Sequence, residues 1–331
     1  EHDLIVGTFG RAAYILDNLE ELRASIKMEQ SSSTEKLKLY PPAPALKYAS
    51  KRADGSRFPA DGIFKGENRS FGLRAFVYNG FEASDSVKTK KVKAQILSEE
   101  GNTLRTLYLD PKEGLNAYRI GLSQKGLGFP SKGRKLSDTT EQTPIPLDLG
   151  TYQLRMIYGG DTTIQSFEYQ LDPRLKGEMN PKLMSAQIEY RRRLDASLDS
   201  INEAANWIKT AKAKMAISKD IATLQLDPNQ AKAYSDSLKD LNKALSKFEE
   251  RLYGKEVDGY YDQPNTLQSQ YYSIFTYIGR NWETVPSQAQ ILQKKYYESE
   301  KEFLKDLGKF IAEDWTKFES LRKQFDLNLQ D

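Results

Sequence analysis

The hydrophobic period changes along this chain, and the change decides what each stretch can become. Val92, Ala94 and Ile96 alternate with Lys93, Gln95 and Leu97, which is the two-residue period of a half-buried strand. Leu194, Leu198, Ile201, Ala205 and Ile208 recur four and three apart, which puts them on one face of a helix. No single regular architecture satisfies both periods. The chain therefore predicts modules in series, β-rich first and helical second. Its 331 residues leave room for two or three domains of roughly 100–150 residues.

The β-rich part opens with two short runs, Leu4-Ile5-Val6 and Tyr14-Ile15-Leu16, separated by Gly10-Arg11. Glycine permits the tight reversal of a hairpin. Two strands alone bury too little to be stable in water, so this pair calls for a host sheet elsewhere or outside the chain. Residues 19–28 read as a short helix. Ser31-Ser32-Ser33-Thr34 and Pro41-Pro42-Ala43-Pro44 make 31–60 a linker.

Between residues 61 and 173 the runs at 71–78, 92–97, 104–109, 116–122, 151–158 and 162–171 read as strands, with turns at Glu100-Gly101-Asn102 and Gly159-Gly160-Asp161. Short strands without a helical period between them predict an antiparallel sandwich of the immunoglobulin or fibronectin type. The Gly/Lys/Ser/Thr/Pro-rich stretch 123–146 reads as a long loop.

From residue 174 the pattern is helical. Tyr234, Leu238, Leu241, Leu245, Phe248 and Leu252 mark a helix entered through Asp227-Pro228 and ended by Gly254. Leu267, Tyr271, Ile274 and Ile278 mark a shorter one. The last begins at Pro286-Ser287 and carries Leu304, Leu307, Ile311, Phe318, Leu321 and Phe325, with Asp314 interrupting the stripe. Four amphipathic helices with short connections predict an up-and-down bundle over 174–331.

Composition removes much chemistry. The chain has no cysteine and a single histidine, His2, which excludes disulfides, thiolate zinc sites, a cysteine nucleophile and paired-histidine metal motifs. A formal charge of +3 does not call for nucleic acid as partner. No run approaches the roughly 18–20 apolar residues of a membrane helix. Neither a cofactor nor a metal is expected.

The run from Asp3-Leu4-Ile5-Val6-Gly7-Thr8-Phe9-Gly10-Arg11 to Tyr14-Ile15-Leu16-Asp17 resembles the closing blade segment of bacterial sortilin-like β-propellers, also described as BNR-repeat glycosyl hydrolases. There a D-L-V-V-G-T-H-G-R stretch leads to W-I-L-D. Phe9 stands at the histidine and Tyr14 at the tryptophan. Gly114-Leu115-Asn116 with Tyr118, Leu149-Gly150-Thr151-Tyr152 and Leu171-Asp172-Pro173-Arg174 resemble motifs of the β-sandwich that follows such propellers, although Arg119-Ile120 replaces its tryptophan-aspartate pair. Gln263-Pro264, Ile278-Gly279-Arg280 and Pro286-Ser287-Gln288 resemble the family's helical end. The resemblance implies a propeller-blade hairpin over 1–30, a sandwich and a bundle, with the propeller itself preceding Glu1. It also implies an extracytoplasmic bacterial location, secreted or associated with the periplasm, outer membrane or cell envelope.

Several residues are candidates for contact. Arg11 flanks the hairpin between Asp3 and Asp17, facing either a substrate channel or its own blade corner. Tyr260, Tyr261 and Asp262, with Tyr271 and Tyr272 nearby, form the densest polar-aromatic stretch. It is either a sugar-stacking surface or an inter-helix connection. Gly126-Leu127-Gly128-Phe129 looks like a phosphate loop but lacks the G-x-x-x-x-G-K-[ST] spacing. In Arg191-Arg192-Arg193, successive side chains point about 100° apart, so the run reads as a solvated face. No pair of acids stands out as a glycosidase dyad. The expected role is a non-catalytic accessory region that packs on the preceding propeller or binds an envelope protein partner. The alternatives are a wall of a glycoside hydrolase whose acids lie on the propeller, or a carbohydrate-binding module.

Overall fold

The computed structural model describes residues 4–10, 13–16, 19, 22–23, 26, 36–48, 71–80, 91–132, 144–257, 260–262, 265–278 and 284–325. It is a mixed β and α protein with several sheets followed by long helices. The chain divides into two compact units, Glu1–Lys125 with Ser137–Ile188 and Gly126–Leu136 with Glu189–Asp331.

In the first unit, β1 (Leu4–Gly7) and β2 (Ala13–Leu16) pair only with each other among the described residues. Strands β3 (Leu37–Leu39), β5 (Leu73–Asn79) and β8 (Gly114–Ile120) form a three-stranded sheet. Strands β4 (Ala45–Lys47), β6 (Val92–Leu97), β7 (Thr103–Leu109), β11 (Gly150–Tyr158) and β12 (Asp161–Leu171) form a five-stranded one in the order β4-β12-β11-β6-β7. Two short strands, β9 (Ser123–Gln124) and β10 (Ile145–Pro146), pair beside them. Inward residues of both larger sheets, among them Leu39, Ala75, Val77, Ile96, Leu154 and Met156, share one apolar core. Alternation puts them there: along β5 the buried positions are Leu73, Ala75, Val77 and Asn79.

Two local features fix register. Gly159 and Gly160 join β11 to β12 at φ 62° and 96°, and a two-residue hairpin turn requires positive φ at both positions. At the start of β5, Gly72 has φ 114°, and a Cβ there would come 2.6 Å from the Ile120 carbonyl oxygen. Past β12, the buried Asp172 carboxylate accepts the Arg174 main-chain N–H at 2.9 Å and pairs with its guanidinium at 2.6 Å.

Two short strands, β3 and β4, lie within the 31–60 stretch expected as linker, and Pro41–Pro44 connects them. Strand β4 lies parallel to β12 (Ala45 opposite Tyr169), so the five-stranded sheet is not wholly antiparallel. Proline lacks an N–H, which keeps Pro41–Pro44 out of either ladder without preventing short strands on each side.

The second unit is helical: α1 (Pro181–Ala196, from Glu189 onward), α2 (Leu198–Gln225), α3 (Pro228–Tyr253), α4 (Leu267–Ile278), α5 (Ser287–Phe310) and α6 (Thr316–Gln324). Asp227 caps α3 by accepting the N–H groups of Asn229 and Gln230 at 2.9 and 3.1 Å, with Pro228 at the first helical position. Gly254, at φ 94°, ends it. A hairpin of β13 (Lys255–Val257) and β14 (Tyr260–Asp262) joins α3 towards α4.

The buried stripe of α5 runs Tyr296, Glu300, Phe303, Leu307 and Phe310. The next helical position on that face is Asp314. A π turn over Ile311–Trp315 separates α5 from α6. Its one extra residue per turn brings Trp315 to the stripe in place of Asp314. Trp315 packs edge-on against Trp207 at 5.3 Å and meets the Phe318 ring at a tilt at 4.5 Å. Thr316 Oγ1 donates to the Ile311 carbonyl at 3.2 Å, giving that wide turn a partner.

Candidate functional site

The opening hairpin breaks the rule that organises the rest of the molecule. Leu4 faces Leu16, Ile5 faces Ile15, Val6 faces Tyr14 and Gly7 faces Ala13. Leu4, Leu16, Val6 and Tyr14 therefore share one face, and Ile5 and Ile15 the other. All are exposed, Ile5 by 67% and Tyr14 by 64%, and Phe9 at the turn is fully exposed. A strand apolar on both faces is the pattern of an interior strand of a covered sheet, yet the two edges of this pair are open among the described residues. Exposed edges are normally guarded by charge, proline or a bulge. None of residues 4–10 and 13–16 is charged or proline. Burying six such side chains would contribute on the order of 5–10 kcal/mol before the cost of association. Arg11, Asp3 and Asp17 lie outside the described residues.

The polar-aromatic candidates of the helical unit occupy two different environments. Tyr260, Tyr261 and Asp262 form β14, paired with Val257, Glu256 and Lys255; their side chains lie outside the described residues. Tyr271 is fully buried in α4. Its ring meets Phe275 at 4.9 Å, Tyr272 at 5.6 Å, Phe129 at 5.7 Å and Tyr296 at 5.9 Å. Its hydroxyl is buried without a hydrogen-bond partner among the described residues, and burial drives its pKa well up. The surface member of this pair is Tyr272, which is 46% exposed.

Phe129 explains the glycine-rich segment that resembles a phosphate loop. Leu127 and Gly128 donate their main-chain N–H groups to the Asp195 carboxylate at 2.7 and 3.2 Å. Asn202 Nδ2 donates to the Gly128 carbonyl at 3.2 Å, and Phe129 sits in the helical core. The anion held by these backbone amides is the protein's own. Burial raises the Asp195 pKa, while the two N–H groups and Arg191 pull it back. Burial lowers that of Arg191, whose guanidinium lies 5.1 Å from the Phe275 ring centre. The arginine run is thus split between environments, for Arg192 and Arg193 extend towards Glu189 at 3.7 Å.

Sequence reading missed Glu300. It lies on the buried stripe of α5, 8% exposed and without an ion pair among the described residues, and burial pushes its pKa up to about 7. A cleft of about 420 Å³ is lined by Lys132, Lys212, Ser246, Glu249, Glu250 and Lys255. Its charges meet one another, Lys212 donating to Glu249 at 2.6 Å and to Ser246 at 3.1 Å. Among the described residues no three His, Cys, Asp or Glu side chains gather as a metal site, and no helix is long and apolar enough to cross a membrane. Among the described residues, the surface with the largest unmet physical demand is the hairpin. No protein-family model, no curated protein and no solved structure matches this chain.

Proposed function

We propose that this chain is a non-catalytic accessory region of an extracytoplasmic, sortilin-like β-propeller protein, and that its opening hairpin completes a blade of that propeller. In this reading the two larger sheets are an immunoglobulin- or fibronectin-like sandwich, and the helices an up-and-down bundle of four long members. Both are scaffolds that pack on the propeller or present a surface to an envelope protein. The supporting observation is the strand pair of the hairpin, uncharged and apolar on both faces, with Ile5 and Ile15 exposed on one side and Tyr14 on the other.

The test mixes the chain with its propeller, truncated before the hairpin, and follows the complex by size-exclusion chromatography. A stoichiometric complex is expected, lost on Ile5→Lys or Tyr14→Glu. Because these side chains are exposed, the same substitutions should move the chain's own stability by less than about 0.5 kcal/mol. A monomeric chain indifferent to the propeller overturns the proposal.

A further inference from the structure

The outer face of the three-stranded sheet carries an arrangement that hairpin docking does not use. Along β5 the outward residues are Arg74, Phe76 and Tyr78, and across the ladder they meet Arg119, Ala117 and Leu115 of β8. Lys38 of β3 stands opposite Tyr78 on the other side. Arg74 and Arg119 are direct register partners, both exposed. Like charges directly opposite on paired strands repel, and no carboxylate pairs with either among the described residues. No acidic residue occurs in any of these three strands.

The groups are also ordered. The Arg74 guanidinium lies 4.9 Å from the Phe76 ring centre, a contact that holds a cation flat over an aromatic face. A Cβ at Gly80 would come 3.0 Å from Tyr78 Cε1, so the Tyr78 ring lies along the strand towards a residue that has no side chain. From Arg74 to Tyr78 the face runs about 13 Å. It has two guanidinium forks at one end, each able to grip a carboxylate through paired N–H donors, a half-exposed ring further along, and a lysine beside that ring.

We propose that this face binds an acidic polysaccharide. The Arg74–Arg119 pair takes the carboxylate of one sugar, and Tyr78 supports the ring of a neighbour. Charge complementarity at the two guanidinium groups favours an anion, and the flat ring further along the same face favours sugar rings linked in a chain. A nucleic acid calls for a basic stripe across many phosphates, which a formal charge of +3 over 331 residues does not supply. A peptide strand would add to a sheet edge, not lie on its face.

Calorimetric titration of the full chain with hexagalacturonate decides the matter, with its fully methyl-esterified form as the uncharged counterpart. Saturable binding is expected for the acid and none for the ester, weakening as salt rises. Arg74→Gln with Arg119→Gln should weaken it tenfold or more, and Tyr78→Ala several-fold, with circular dichroism unchanged. Should the double variant not fold, Arg119→Gln alone must still weaken binding. Absence of saturable binding, equal affinity for oligothymidylate or polyglutamate, or full affinity in a folded arginine variant each overturns the proposal. Because the titration contains no propeller, its outcome is separate from that of the hairpin.

Discussion

The Asp195 carboxylate accepts the Leu127 main-chain N–H at 2.7 Å, tying α1 to a segment 68 residues earlier. Replacing Asp195 by Ala leaves the buried Gly128 amide and the part-buried Leu127 amide without that acceptor and frees the hold on Phe129. A buried donor left unmet costs about 1–3 kcal/mol, so a loss of about that size is expected in urea denaturation. Asp195→Asn keeps one acceptor oxygen but sets an NH2 donor against the second N–H, so it too should lose stability. An unchanged denaturation midpoint in both variants would mean that the carboxylate is not what holds the segment.

Glu300 gives the helical unit a pH dependence of known sign. Its folded pKa, about 7, lies above the ordinary 4.5, so the folded chain binds this proton more tightly than the unfolded one. That contribution is fully present below about pH 4.5 and is lost as pH rises to about 7, an effect on the order of 3 kcal/mol. Glu300→Gln cannot ionise. Its stability relative to the natural chain should therefore rise across that window and level off above it. A pH-independent difference between the two denaturation curves would contradict this account.

The π turn predicts an unusual tolerance. Deleting Asp314 leaves Phe303, Leu307, Phe310, Trp315, Phe318 and Leu321 in an almost regular three-and-four repeat, which an uninterrupted α-helix can present on one face. The deletion loses the exposed Lys317–Asp314 ion pair at 3.2 Å, worth little at a surface. The deletion variant should unfold at the same temperature as the parent or above it. A deletion in mid-α2 should be strongly destabilising. If both deletions unfold the chain alike, the extra residue is not what the turn accommodates.

Two buried tyrosines should respond in opposite directions to loss of the hydroxyl. Tyr190 Oη donates to the Ala289 carbonyl at 3.1 Å, and Tyr190→Phe should cost about 1 kcal/mol. Tyr271 Oη has no such partner among the described residues, and Tyr271→Phe should be neutral or stabilising by a similar amount. Calorimetric melting of the two variants side by side checks the pair.

The legible parts of the fold were those set by local pattern. Val92–Leu97 follows from strict alternation, Pro228–Tyr253 from its cap and terminal glycine, and the defect at Asp314 from the broken stripe. Long-range pairing was not legible. Pro41–Pro44 looks like a linker because proline composition reports no ladder partner, yet strands on both sides of it find partners more than thirty residues away. Phe129 sits in a glycine-rich stretch with no period of its own, and nothing local announces that its core is helical. Arg74 and Arg119 lie on strands whose pairing alone reveals them as neighbours.

The excursion of Gly126–Leu136 into the helical unit bears on how a ribosome delivers this molecule. Phe129 leaves the exit tunnel before any helix that will enclose it, and Tyr296 and Tyr271 follow long afterwards. During synthesis the strands on either side can zip together while the aromatic plug between them waits, wet and unprotected, for its socket to be translated. A chain cut at residue 173 and expressed as its later half would thus be born without its plug.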